Sequence, residues 1–89
     1  MQAAHLTLIG KPGCHLCDDA RDVIESVVGK LADDPHAPAV ELEERSILDD
    51  PELHERFVED IPVLLINGAV HNYWRIDPLR LRTALLELA

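Results

Sequence analysis

The chain has 89 residues, which is enough for one domain with a modest core, and we expect residues 1–89 to fold as a single unit. Its 17 acidic side chains and 8 Lys and Arg give a net charge of −9, which disfavours nucleic acid and anionic membranes as partners. We see neither a transmembrane stretch nor a secretory signal, so we expect a cytoplasmic protein, in which a close cysteine pair is more often catalytic or metal-binding than structural.

The first half of the chain predicts a strand, a helix and a second strand. Residues 5–9 (H-L-T-L-I) predict a short strand that ends at Gly10 and the Pro-Gly turn at 12–13. Apolar residues then recur at helical spacing from about residue 14 to residue 31. Residues 40–44 alternate between apolar and acidic side chains, as in a strand.

The next stretch predicts a short helix and a hairpin. The Asp-Pro pair at 50–51 is typical of an N-cap followed by proline at the first helical position, and predicts a helix to about residue 57. Residues 63–66 are continuously apolar, as in a buried strand. The Asn-Gly pair at 67–68 is a strong turn signal, so residues 69–73 should return as the partner strand.

The last predicted element is a helix that begins at the Asp-Pro pair at 77–78 and runs to about residue 88. The predicted order is therefore β-α-β-α-β-β-α, with no internal repeat and no linker. This alternation indicates an α/β domain.

Acidic residues are concentrated in the middle of the chain. Residues 33–60 contain eleven acids, and Arg45 and Arg56 are their only Arg or Lys. The simpler interpretation is a set of solvated faces. The alternative is a docking surface for a basic partner protein.

The only two cysteines, Cys14 and Cys17, lie where the first strand leads into the first helix. The unpaired N–H groups and the partial positive charge of a helix N-terminus stabilise a thiolate, the reactive form of cysteine. We expect Cys14 to be exposed and Cys17 to lie one turn later and deeper, so that one sulfur attacks a disulfide and the other releases the product. Lys11 would add positive charge nearby. His15 either adds positive charge when protonated or is a solvated residue at the start of the helix.

Two close cysteines also occur in structural disulfides and in metal sites. A structural disulfide is a poor explanation, because its stabilisation grows with loop size and this loop is very small. A mononuclear zinc site would need two more ligands, and the histidines show no H-x₃₋₅-H spacing, so we predict no metal ligands. An iron–sulfur cluster shared between two chains remains an alternative.

Two segments together carry a family resemblance. K-P-G-C-H-L-C at 11–17 and I-P-V-L-L-I-N-G at 61–68, in this element order, resemble the thioredoxin superfamily, and most closely the glutaredoxins and small bacterial glutaredoxin-like proteins. The resemblance covers nearly the whole chain. It implies a three-layer domain with a four-stranded mixed sheet, in which Cys14 is the nucleophile and Cys17 the resolving cysteine.

The resemblance also implies substrate-binding residues. Pro62 matches a cis-proline that faces the cysteine pair, which would leave the backbone N–H and C=O of Ile61 free to pair with the backbone of a substrate. Lys11 aligns with the glutaredoxin lysine that binds a carboxylate of glutathione.

The sequence departs from the glutaredoxins after the hairpin. Those proteins commonly have a Gly-Gly pair and an acidic residue there, whereas this chain has H-N-Y-W-R at 71–75. Tyr73 and Trp74 are either core or edge-strand residues, or they are the walls of an altered substrate groove.

The function predicted from the sequence is thiol–disulfide exchange by a monomer without a bound cofactor. We expect a protein disulfide or a small-molecule disulfide as the partner and glutathione as a candidate reductant. The alternatives are an iron–sulfur or metal carrier that uses the same thiols, or a non-catalytic adaptor of the same fold that binds a protein partner.

Overall fold

The computed structural model describes residues 3–88 and confirms the predicted element order. The strands are β1 (Ala4–Gly10), β2 (Val40–Ser46), β3 (Val63–Ile66) and β4 (Ala69–Tyr73), and the helices are α1 (His15–Leu31), α2 (Pro51–Phe57) and α3 (Pro78–Glu87). Residues 1, 2 and 89 lie outside the described residues, so a single domain over 1–89 stays a prediction. None of the helices described is long and apolar enough to cross a bilayer.

The sheet is mixed, as predicted, and has the strand order β2-β1-β3-β4. Strand β1 pairs parallel with β2, and their last residues, Gly10 and Ser46, lie side by side. Strand β3 runs antiparallel to both β1 and β4, and Val63 pairs with Ile9 on one side and with Tyr73 on the other. The ends of β1, β2 and β4 therefore meet the start of β3 at one edge of the sheet.

Two apolar clusters cover the two faces of this sheet. On one face, Leu6, Leu8 and Leu64 pack against α1 and α3. On the other face, Ile9 and Val63 pack with residues from α2 and the loop before it. Neighbouring residues of β1 and β3 thus serve opposite faces, as the two-residue period of a strand requires. The result is the predicted three-layer arrangement.

Several element ends differ by one or two residues from the sequence-based expectation, since β1 spans Ala4–Gly10 and α3 ends at Glu87. Helix α1 begins at His15, one residue later than expected, because Cys14 is its N-cap with an extended backbone. Strand β2 continues to Ser46 because it keeps its register with β1 along the whole length of both strands.

The predicted hairpin turn is present between β3 and β4. Asn67 and Gly68 both have positive φ, 50° and 85°, as a two-residue turn that suits the strand twist requires. The Asn67 side chain also accepts a hydrogen bond from the backbone N–H of His5 at 2.9 Å, which ties the turn to β1.

Candidate active site

Three loops meet at the sheet edge where β1 ends. The first runs from Lys11 to Cys14, between β1 and α1. The second contains Ile61 and Pro62, directly before β3, and the third begins at Trp74, directly after β4. The pairing of Val63 with both Ile9 and Tyr73 brings these loops together, although they are far apart in the sequence.

Cys14 and Cys17 lie at the start of α1 and form a disulfide, with their Cα atoms 5.2 Å apart. The backbone N–H of Cys17 donates to the Sγ atom of Cys14 at 3.1 Å, so a sulfur occupies the capping position of the helix. Cys14 is half-buried, whereas Cys17 is only 3% exposed. An incoming molecule therefore has much better access to Cys14.

Gly10 lies directly against Cys17. A Cβ atom placed on Gly10 would be only 2.8 Å from the Sγ atom of Cys17 and 3.1 Å from its Cβ atom. The close approach of the helix to the end of β1 thus depends on the missing side chain. The sequence predicts Gly10 only as the end of a strand, since nothing local shows that it touches a sulfur seven positions further on.

Arg21 connects the first turns of α1 to strand β2. Its Nε atom is 2.6 Å from Glu44 Oε1, and its Nη1 atom is 3.0 Å from Asp18 Oδ1. The hydrogen bonds to Glu44 and then to Asp18 raise the pKa of Arg21 above its ordinary value. Arg21 therefore balances part of the acidic charge close to the cysteines.

Lys11 lies on the β2 side of the cysteine pair. With Gly10, Cys17, Arg21 and Arg45 it lines a pocket of about 300 Å³ between the β1–α1 loop and the end of β2. This pocket is distinct from the groove that Trp74 lines on the other side of α1. The structure thus places these two predicted substrate-binding residues in different cavities.

The Ile61–Pro62 peptide bond is cis, and Pro62 is buried. The carbonyl oxygen of Pro62 accepts a hydrogen bond from the backbone N–H of Trp74 at 2.7 Å, which joins the loop before β3 to the loop after β4. Within residues 3–88, the backbone N–H and C=O of Ile61 make no backbone hydrogen bond.

Tyr73 and Trp74 do not belong to the core, since they are 42% and 54% exposed. Tyr73 is the last residue of the edge strand β4, and Trp74 follows it in the turn. Trp74 and Leu16 line opposite walls of a groove of about 210 Å³ between α1 and this turn. Leu16, 39% exposed although apolar, was not predicted as a site residue; its position between the two cysteines was the available signal.

His15 is exposed at the first position of α1, next to Cys14. In the described part of the chain, no three His, Cys, Asp or Glu side chains are close enough together to hold a metal ion. The chemistry that this site offers therefore centres on the two sulfurs and on the surfaces that flank them.

Comparison with known proteins identifies relatives of nearly the whole chain. Residues 5–86 match the family described as "Glutaredoxin-like domain (DUF836)". An uncharacterized protein of Mycobacterium tuberculosis is 26% identical over 82 residues, which cover 92% of this chain and 82% of the relative. An uncharacterized protein of Mycobacterium bovis matches to the same extent.

Two solved structures share the fold. The X-ray structure of the structural genomics target XcR50 from X. campestris has a TM-score of 0.65 and 31% sequence identity, over 94% of this chain and 97% of that one. The solution NMR structure of protein Ne2328 from Nitrosomonas europaea has a TM-score of 0.76 and 21% identity, over 96% of this chain and 94% of that one. The second likeness shows the fold alone.

Proposed function

This chain belongs to the glutaredoxin-like domain family and has a thioredoxin-like fold, and from that premise we propose that it is a thiol–disulfide oxidoreductase with Cys14 as nucleophile and Cys17 as resolving thiol. Family membership and the cysteine pair support a thiol redox function in general. The observation that carries the specific proposal is the difference between the two sulfurs. One is accessible and accepts a helix N–H, and the other is buried behind it.

In the proposed reaction, the Cys14 thiolate attacks one sulfur of a substrate disulfide. A bond forms between Cys14 Sγ and that sulfur, and the other substrate sulfur leaves as a thiolate. Cys17 then loses its proton and attacks Cys14 Sγ, which releases the second substrate thiolate and closes the Cys14–Cys17 disulfide. Two electrons have passed from the protein to the substrate, and an external thiol reductant restores the dithiol.

The surroundings of the sulfurs support this sequence of steps. The N–H of Cys17 points at Cys14 Sγ, where negative charge develops when Cys14 is the leaving group or the free thiolate. The backbone N–H and C=O of Ile61, which make no backbone hydrogen bond within residues 3–88, offer a substrate segment two hydrogen bonds at the same edge of the sheet. Lys11, which lines a pocket together with Cys17, adds positive charge near the cysteine pair.

The proposed reaction also needs a disulfide substrate and a thiol reductant. The substrate is a disulfide in a protein or small molecule, and glutathione is the candidate reductant. The protein works as a monomer in the cytoplasm, where a reducing thiol pool regenerates it.

The experiment is a pair of matched cysteine variants exposed to a disulfide substrate. Cys17→Ser should accumulate a mixed disulfide on Cys14, visible by intact mass, because the resolving thiol is missing. Cys14→Ser should form no such adduct at a comparable rate, since the remaining sulfur is buried. The assignment of roles is wrong if Cys14→Ser traps the substrate and Cys17→Ser does not.

A redox titration tests the reaction itself. The wild-type protein is equilibrated in a series of glutathione buffers, quenched and weighed. Conversion between dithiol and intramolecular disulfide between about −270 and −120 mV, the span of catalytic dithiols, supports the oxidoreductase. Two thiols that stay reduced throughout would exclude it.

A further inference from the structure

We infer that the groove between α1 and the β4–α3 turn binds an apolar side chain next to the cysteine of a peptide or protein disulfide, and that Trp74 makes the protein prefer such substrates to glutathione. The inference rests on the proposed function, because it names the substrate class for that same cysteine pair. Its basis is the position of the groove, the conformation of Trp74 and the charge of the molecule.

The groove begins at the cysteine motif itself. Leu16, which lies between the two cysteines, forms one wall together with Ala20 and Val23 of α1, and Trp74 and Ile76 form the other. Its volume of about 210 Å³ suits one large side chain rather than a whole tripeptide. A substrate whose cysteine sulfur reaches Cys14 would therefore bring a neighbouring side chain to the mouth of this groove.

The conformation of Trp74 favours a role in binding over a role in folding. Its φ of 59° lies in the left-handed region, which costs free energy for a residue with a bulky side chain and suits glycine. Its indole is nevertheless more than half exposed, so that burial does not offset this cost. A large aromatic side chain is therefore kept at a position where glycine would fold more easily.

The surrounding turn holds the indole in place. The N–H of Trp74 donates to the Pro62 carbonyl at 2.7 Å, and the side chain of Asn72 accepts from the N–H of Asp77 at 3.0 Å, which closes the turn on both sides. The rings of Tyr73 and Trp74 are tilted against each other with centroids 6.3 Å apart. The backbone of Trp74 is thus held at the mouth of the groove, with its indole beside the ring of Tyr73.

The charge of the molecule also favours an apolar peptide over glutathione as the substrate. Asp19 and Arg75 lie on opposite walls of the groove, so neither sign of charge dominates locally. The whole chain carries −9, and glutathione has one more carboxylate than amino groups, so the long-range field disfavours its approach. An uncharged apolar peptide does not meet this repulsion.

The test measures exchange rates on the Cys17→Ser protein, in which Cys14 reacts alone. Three probes are used, each joined by a disulfide to the coloured leaving group thionitrobenzoate: glutathione, and two short capped peptides with Phe or Gly after the cysteine. The coloured thiolate is the better leaving group, so its release reports attack on the probe sulfur. We expect the Phe peptide to react about tenfold faster than the Gly peptide, and faster than glutathione.

Trp74→Gly should remove this selectivity without unfolding the protein, because glycine suits the backbone conformation at this position. The exchange rate with the Phe peptide should fall to less than about three times the rate with the Gly peptide, and the rate with the glutathione probe should rise. Trp74→Asn should lose the same selectivity, because asparagine also tolerates positive φ and keeps a Cβ atom but has no indole. Leu79→Ala removes a similarly exposed apolar side chain outside the groove and should keep the wild-type ratio.

The outcomes separate the two proposals. The inference would be overturned by equal exchange rates for the two peptides on the Trp74-containing protein, or by an unchanged ratio of these rates in both Trp74 variants. In either case, release of the coloured thiolate would still show that Cys14 is reactive. No release with any probe would instead contradict the proposed function. The ratio measured before any change at Trp74 tests the preference for an apolar neighbour of the cysteine even if neither Trp74 variant folds.

Discussion

The absence of a side chain at Gly10 allows the Sγ atom of Cys17 to lie next to the end of strand β1. The sulfur of Cys17 lies 2.8 Å from the point where a Cβ atom on Gly10 would be, which is closer than the two atoms can pack. Both neighbours of that sulfur, strand β1 and helix α1, are anchored in the core by several buried residues, so neither can easily move away.

Replacing Gly10 by alanine should therefore destabilise the protein. We expect a loss of about 1–3 kcal/mol in the free energy of unfolding, as for other overpacked sites, measured by urea denaturation of the reduced protein. Gly29→Ala is the matched control, because a Cβ atom there meets nothing within 4 Å and alanine favours the helix. A Gly10→Ala protein as stable as wild type would show that Cys17 is free to shift.

His71 introduces a pH dependence into stability. Its Nε2 atom is buried and, in the part of the chain that the structure describes, has no hydrogen-bond partner. Burial, and then the positive charge of Arg80, lower its pKa below the ordinary 6.5, against a smaller opposite effect of Asp77. The unfolded chain therefore binds this proton more readily than the folded chain.

The stabilisation that comes from neutral His71 should be fully present above pH 6.5 and be lost as the pH falls through the lower pKa of the folded state. The free energy of unfolding of wild type should therefore decrease more steeply below pH 6.5 than that of His71→Gln. Denaturation series over pH measure both slopes. A parallel course of wild type and His71→Gln would contradict the assignment.

At the scale of elements, helix α2 depends on its cap. It has only seven residues, which is too few for a helix to be stable by itself. The Oδ1 atom of Asp50 accepts from the backbone N–H of Glu52 at 2.9 Å, and Pro51 begins the helix with a suitable φ. Phe57 then fixes the other end in the apolar cluster beneath the sheet.

Asp50→Ala should lower the free energy of unfolding by about 1 kcal/mol, because the first N–H groups of α2 lose their acceptor. Asp50→Asn keeps a capping oxygen and should cost much less, although it also removes the ion pair with Arg45. Urea denaturation of both variants distinguishes the cap from the ion pair. Equal losses in the two variants would assign the effect to the charge of Asp50.

At the scale of the whole molecule, the net charge of −9 makes the folded chain repel itself. A few ion pairs, such as that between Arg21 and Glu44, stabilise the fold. They are exposed, however, and therefore contribute little to the free energy of unfolding. Repulsion over longer distances should dominate when little salt is present.

Salt should therefore stabilise the protein. Between about 0.01 M and 0.15 M ionic strength the screening length falls from about 30 Å to about 8 Å. We expect a gain of about 1 kcal/mol, equivalent to about 4–8 °C in Tm, in calorimetry at neutral pH. Sodium and potassium chloride should act alike if screening is the cause, and a Tm that falls with salt would show that the ion pairs dominate.

The sequence alone predicted those features that depend on residues close together in the chain. The period of apolar residues, the two Asp-Pro helix starts and the Asn-Gly turn each act within a few positions, and the structure confirms the elements that they predict. The family resemblance, carried by two short segments, was likewise sufficient for the fold class. The greater exposure of Cys14 than Cys17 followed from their places at a helix start.

Only the tertiary structure showed the contact of Gly10 with Cys17, the groove shared by Leu16 and Trp74, and the separation of Lys11 from that groove. The contact of Gly10 with Cys17 and the position of Lys11 depend on how α1 lies beside the ends of β1 and β2. The groove depends on the register of β3 against β1 and β4, which brings distant loops to one edge of the sheet. That register is set by the packing of both sheet faces at once, and no short segment contains this information.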